Sequence, residues 1–278
     1  MFYMKLKVIR ILKITHETYH SNEAGKKYMS VSRYKAIKEC ESKSMAELNG
    51  EWEDDNKKVY FLGEYLHKWN EGKKEFQSFI DKNISDIYKG KNNAGDRYKD
   101  IIIMDKCIET IKNDKVAMMS LEGEKEVIIT EELFGIPFKI MIDSLNHEKK
   151  AFTDLKTTRD IQKTYWNDEN KERENFIIKW GYDIQLAVYA EILRRHLKMD
   201  KHYIPHILAV SKTDPPDKEL IYMPREDIEP ILDRIELDIP RVYDVWKGNA
   251  EPKGCGRCEY CLSKKKLKEA VYYMDIGI

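Results

Sequence analysis

Residues 134–158 read FGIPFKIMIDSLNHEKKAFTDLKTT, from Phe134 to Thr158. Ile136 to Asp143 is a run of apolar and β-branched residues broken by one lysine, and Ala151 to Thr157 runs extended again. Asn146 to Lys150 between them is turn chemistry, so the stretch predicts two strands joined by a polar turn. On a strand, residues two apart share a face, which points Asp154 and Lys156 one way and Leu155 the other. Asp143 ends the first strand and is expected near the open end of the strand carrying Asp154. Two carboxylates and an ammonium then converge at one sheet edge. Carboxylates bind Mg²⁺ through hard oxygen ligands, and a lysine beside them can position or activate a water and offset developing negative charge. That set is suited to hydrolysing a phosphodiester. D-x-K alone is a weak motif in so charged a chain, and a solvated strand face is the plain alternative. Position favours chemistry, because these ionisable groups lie inside apolar strand patterns and a helix carrying Gln185 and Tyr189 follows.

The flanks extend this hairpin into an α/β fold. Lys125 to Thr130 predicts a strand before it, with Glu126 inside that strand. After it come a polar loop, Asp160 to Arg173, holding Tyr165 and Trp166, and a helix over Glu174 to Lys198. Gln185 and Tyr189 are four apart there and share a face, with Tyr182 three before Gln185. Tyr203 to Lys212 and Glu219 to Met223 predict strands around the turn Asp214-Pro215-Pro216-Asp217. Glu226 to Gly248 predicts a helix that Pro240 breaks or kinks. On the N-terminal side, Lys5 to Thr15 alternates well enough to be an opening strand. Ser30 or Ser32 can cap a helix running to about Asn49, with Cys40 inside it. A second helix covers Lys57 to about Asn83 and contains His67. Lys89 to Asp96 is a loop, and a helix from Arg97 to about Ser120 carries Cys107 in its core stripe. The sum is a mixed central sheet flanked by helices, read as one domain over 1–278. Its parts are a mainly helical segment (1–120), a core (121–248) and a Cys-rich end (249–278).

Composition bounds this reading without deciding it. In 278 residues, 42% are hydrophobic and 35% charged, ordinary for a soluble enzyme. Lys+Arg and Asp+Glu both number 49, so net charge is zero and long-range attraction to nucleic acid gains no support. Met1 to Ile14 is apolar but interrupted by lysines and an arginine, so neither a signal peptide nor a membrane span is expected, and the cytoplasm is the expected location.

Cys255, Cys258 and Cys261 stand at a regular two-residue spacing that chance rarely produces. The spacing matches the first three ligands of a ferredoxin-type 4Fe–4S run whose fourth comes from elsewhere, and Zn²⁺, which also takes four ligands, is the rival. Cys40 is the best fourth candidate, since Cys107 sits in a core stripe. A disulfide is improbable in a reducing cytoplasm.

Several pieces of the chain carry a family resemblance: YMSVSRYKAIKECE, LGEYLHKW, FGIPFKIMIDS, TDLKTTRDI, WGYDIQLAVYAEIL and CGRCEYC, in that order from Tyr28 to Cys261. Together they resemble the PD-(D/E)XK nuclease superfamily with its restriction-endonuclease-like core, and more narrowly the phage and prophage RecE-like (exodeoxyribonuclease VIII-like) exonucleases. The resemblance implies a DNA exonuclease dependent on Mg²⁺ or Mn²⁺. Asp143 and Asp154 would hold the metal and Lys156 would serve the attacking water. His67 would be the site histidine on a helix before the sheet, and Glu126 a further acidic residue. Gln185 and Tyr189 would form the Q-x-x-x-Y pair that lines the site and touches the DNA backbone. It also implies digestion of duplex ends, a RecT-like single-strand annealing partner and a ring-like homo-oligomer. One early and three late cysteines are similar to iron–sulfur nucleases of the AddB and CRISPR-adaptation type, which have a longer gap before the last cysteine. A nuclease of that type, or a catalytically silent DNA-binding module, is the alternative.

Overall fold

The computed structural model describes residues 14–89, 95–168, 170–267, 269–270 and 272–275. The opening strand expected over Lys5 to Thr15 lies outside these residues, apart from Ile14 and Thr15, which are not in a strand.

Helices come first: α1 (Asn22–Lys27), α2 (Val31–Glu39), α3 (Glu41–Asn49), α4 (Lys57–Glu71), α5 (Lys73–Lys82), α6 (Ile84–Ile87), α7 (Lys99–Lys112) and α8 (Lys115–Ser120). Three helices expected as continuous are each broken. Ser30 caps α2 by accepting from the Arg33 N–H, but the helix stops at Cys40, an extended residue (φ −159°, ψ 104°) that starts α3. Cys40 therefore sits in a corner between two helices, not inside one. The next break falls at Gly72, and the third at Asp114, whose side chain accepts from Val116 and Ala117 and recaps the chain. Periodicity survives such corners because both halves bury the same stripe, so it hides them from a reading of the sequence.

The sheet follows: β1 (Glu124–Leu133), β2 (Ile136–Asn146), β3 (Ala151–Thr158), a small hairpin of β4 (Tyr165–Asn167) and β5 (Glu172–Glu174), α9 (Phe176–Lys179), α10 (Tyr182–His196), β6 (Ile204–Ser211), β7 (Lys218–Tyr222), α11 (Ile228–Lys247) and α12 (Glu259–Lys264). The β4–β5 hairpin replaces the plain loop expected over Asp160 to Arg173. Five strands pair in the order β1-β2-β3-β6-β7. β3 and β6 are parallel and the other neighbours antiparallel, so the sheet is mixed, as expected. The β3-to-β6 crossover passes through the small hairpin and α10, which returns the chain over the sheet.

Gly181 separates α9 from α10 with φ +59°, and a Cβ there would stand 2.8 Å from Lys35 Cδ, so both the backbone and the close approach favour glycine. The helix expected over Glu174 to Lys198 is divided at this point. Pro240, in contrast, breaks nothing: α11 runs through it for 20 residues. Pro240 and Glu236, whose carbonyl loses its N–H partner, both face solvent, where water can take the freed acceptor.

Two apolar clusters cover the sheet. One joins α2, α10 and α11 to β1, β2 and β3 through residues such as Tyr34, Phe138, Phe152, Leu186 and Val242. The other packs α4, α5 and α7 against Leu155, Leu208 and Val210. Leu155 thus points away from Asp154 and Lys156, as its place in the strand requires.

Leu155 is fully buried in this second cluster. Leu155→Ala is expected to cost about 2–5 kcal/mol of stability, read as a lower urea midpoint at unchanged m-value. A shift under about 0.5 kcal/mol would contradict the packing described here.

Candidate active site and cysteine cluster

The β2–β3 hairpin ladder is short. Asn146, Leu145 and Ser144 pair with Ala151, Phe152 and Thr153, and the ladder stops there. The next opposed residues in register are Asp143 and Asp154. With the strands no longer bonded, Asp143 Oδ2 accepts the Leu155 N–H at 2.7 Å, so a carboxylate stands where a backbone carbonyl would. On the other side of β2, Lys125 pairs with Ser144 and Val127 with Ile142, while Glu126, opposite Asp143, is skipped. Glu126 has φ +50°, an uncommon value for a residue with a side chain, at the site of this interruption. Glu126, Asp143 and Asp154 therefore form one row across three strands, each under 7% exposed.

Side chains from outside the sheet close around the row. His67 on α4 places Nδ1 3.3 Å from Asp143 Oδ1 and 3.7 Å from Glu126 Oε1. One turn further along α4, Asn70 donates to the Asp143 carbonyl and to Ser144 Oγ, and accepts from Lys125 Nζ at 2.9 Å. Lys156 Nζ lies 2.6 Å from Asp154 Oδ2, out of line for a hydrogen bond, and stands over the Tyr182 ring at 5.1 Å. Gln185 Nε2 donates to Asp154 Oδ1 at 2.6 Å. The six residues Glu126, Asp143, Asp154, Lys156, Gln185 and His67, read from distant parts of the sequence, are all brought together. Tyr189 is as buried as the row, at 8% exposed, and packs near Phe152, with the charges of Asp154 and Asp143 acting on its hydroxyl.

Burial of so many charges sets their protonation. Burial alone would lower the His67 pKa, but the charge of Asp143 and the carboxylates of Asp143 and Glu126 beside the ring prevail and bring it up to about 10. Burial works against Asp143 ionising too, yet the His67 charge beside it holds its carboxyl below the usual range. Asp154 and Glu126 are raised, chiefly by burial. Lys156 is raised because Asp154 and Asp143 outweigh its burial, so it is an ammonium. Glu126 Oε1 and Asp154 Oδ2 are buried oxygens without hydrogen-bond partners. Oxygens left in this state among three carboxylates fit a hard divalent cation. His67, Glu126 and Asp143 have ligand atoms close enough to share one ion, and Asp154 flanks them.

Lys35 on α2 was not legible in advance. Its Nζ donates to the Trp180 carbonyl at 2.7 Å, stands over the Tyr182 ring, and is pulled down to about 8 by burial and by Lys156. No spacing links Lys35 to a hairpin more than a hundred residues away. Asn70, three after His67 on the same helix face, was a readable signal left unread.

At the other end of α2, Cys40 meets Cys255, Cys258 and Cys261. Cys40 Sγ is 3.6 Å from Cys261 Sγ and 3.7 Å from Cys258 Sγ, and Cys255 Sγ is 4.0 Å from Cys261 Sγ. All four thiols are free. Cys107 stands apart, fully buried, and donates to the Ser211 carbonyl.

Residues 30–264 match a family described as "PDDEXK-like domain of unknown function (DUF3799)", a span that includes every residue of both groups. Among solved structures, the chain is similar to a protein described as "Putative exonuclease" from Eubacterium rectale, at 32% identity and a TM-score of 0.86. That likeness covers 96% of this chain and 100% of the other. No curated protein matches. The mixed sheet, the D…D-x-K row and the matched span agree with one another, and the chain belongs to this PDDEXK-like family of the PD-(D/E)XK nuclease fold.

Proposed function

We propose that the protein is a divalent-metal-dependent DNA exonuclease, RecE-like, that resects linear duplex ends. The observation that carries this reading is the row Glu126–Asp143–Asp154, with Lys156 beside it and two buried carboxylate oxygens lacking hydrogen-bond partners. Asp143, Asp154 and Glu126, with His67 against the first and third, would hold Mg²⁺ or Mn²⁺. A cation bound there supplies a Lewis acid for the phosphoryl oxygen and lowers the pKa of water. The chain's own residues do the rest. Lys156, kept charged by its carboxylate neighbours, offsets negative charge developing on the phosphate and orients the nucleophile. Gln185 holds one oxygen of Asp154, and the other stands against the Lys156 ammonium at the site. The Asn70–Lys125–Ser144 network fixes α4 and so the height of His67 above the row.

Trp166, 51% exposed on the β4–β5 hairpin between the D-x-K strand and the Gln185 helix, supports contact with bases near the site. A single-strand annealing recombinase as partner, service in phage recombination and a ring-like homo-oligomer rest on the RecE-like motif order alone. A silent DNA-binding module is the weaker reading, because such a module has no need to bury three carboxylates whose desolvation costs stability.

Asp143→Asn, Asp154→Asn and Lys156→Ala are each expected to reduce cleavage about a thousandfold or more, with circular dichroism unchanged. Near-normal activity in any one variant would remove that residue from the chemistry. On substrate, the pure protein with Mg²⁺ is expected to degrade linear duplex DNA and leave closed circles intact. Efficient nicking of supercoiled plasmid would replace the exonuclease reading with an endonuclease one.

A further inference from the structure

The geometry points to a single tetrahedral zinc ion on Cys40, Cys255, Cys258 and Cys261, in place of the iron–sulfur cluster that the cysteine spacing and the AddB-type likeness suggest. Four thiolates on one ion with metal–sulfur bonds of 2.3 Å stand about 3.8 Å from one another, the edge of the tetrahedron. The three edges given above, 3.6, 3.7 and 4.0 Å, bracket that value, and every pair lies within 4.8 Å. In a 4Fe–4S cubane each thiolate binds a different iron, and the four sulfurs spread to roughly 6 Å apart. The cysteines here are about 2 Å too close for that body to fit between them. They are also far too distant for disulfides, whose sulfurs stand about 2.05 Å apart.

The surroundings hold this spacing. The segment carrying Cys255 is tied to the residues after Cys40: the Ser42 N–H donates to the Lys253 carbonyl, Ser42 Oγ to the Pro252 carbonyl, and the Lys253 N–H to Glu41. Arg241 clamps the same Glu41 with two hydrogen bonds. Gly254 passes so near the cluster that a Cβ there would meet Cys261 Sγ at 3.0 Å. Cys40 itself is 4% exposed in the corner between α2 and α3, where it cannot retreat. Two backbone N–H groups aim at sulfur, Cys255 N at Cys40 Sγ (3.4 Å) and Cys258 N at Cys255 Sγ (3.3 Å), donors that stabilise metal-bound thiolate. One zinc leaves this seam intact, since the four sulfurs already stand at its tetrahedral spacing.

The full chain, purified without oxygen from cells supplied with both iron and zinc, decides the matter by elemental analysis and absorbance. One zinc per chain, no acid-labile sulfide and a colourless protein are expected. Cobalt exchanged into the same site should give the intense visible bands of a tetrahedral four-thiolate ion. Cys40→Ser and Cys258→Ser should lose the zinc and melt several degrees lower, while Cys107→Ser keeps its zinc and its melting temperature. If the variants fail to fold, the wild-type metal content and cobalt spectrum suffice. About four irons and four sulfides per chain, or full zinc retention in Cys40→Ser, would overturn the proposal; neither result depends on whether the protein cuts DNA.

Discussion

Everything at the site follows from an interruption of β2 at Asp143. On one side the hairpin ladder with β3 ends after three residue pairs, and on the other the ladder with β1 skips Glu126. A strand normally spends its N–H and C=O groups on its neighbours. Here the Leu155 N–H is met by the Asp143 side chain, which anchors that carboxylate to the next strand. The gap lets three acidic side chains stand abreast where three continuous strands would have their backbones bonded. It also fixes their separation through the sheet, the stiffest part of the molecule, and not through a loop.

Such a row is expensive in the absence of partners, because burial disfavours each charge and the neighbours repel. The protein meets the cost locally. His67 neutralises Asp143, Lys156 neutralises part of Asp154, and Gln185 supplies a neutral donor. The compensation is incomplete, since one oxygen each of Glu126 and Asp154 has no hydrogen-bond donor, the Asp154 oxygen having only the Lys156 charge beside it. A site built for stability would have given those two oxygens backbone or side-chain donors; in the proposed reading a cation takes that place.

Much of this was legible in the chain, for reasons that can be named. Strand periodicity put Leu155 opposite Asp154 and Lys156, and the polar turn at Asn146 to Lys150 set which strands pair. The parallel β3–β6 pair is what the helix between those strands allows. Corners were not legible. Cys40, Gly72 and Asp114 interrupt helices whose apolar stripes continue past them, and the signal read was the stripe. Glu126 enters the site from the sequence only through the family resemblance, and the three-dimensional register shows it opposite Asp143. Lys35 and Asn70 are polar residues whose roles come from what folds against them. The extent of Tyr189 burial likewise depends on packing beneath the row, which a four-residue spacing cannot report.

The two clusters of the molecule are joined by one short helix. Cys40 ends α2 in the cysteine site, and Lys35, five residues earlier and about 7 Å along the axis, reaches the Trp180 and Gly181 carbonyls. Those carbonyls belong to the turn from which α10 starts, and α10 delivers Gln185 to Asp154 and Tyr182 to Lys156. Gly181 is the contact point, since any larger residue there would displace Lys35. A metal on Cys40, as proposed, would fix one end of α2, and through it the start of the helix that orients the D-x-K strand's carboxylate and lysine. The contribution of the cysteines would be to make the N-terminal helices and the C-terminal segment one rigid support, against which a row of buried carboxylates can keep its spacing.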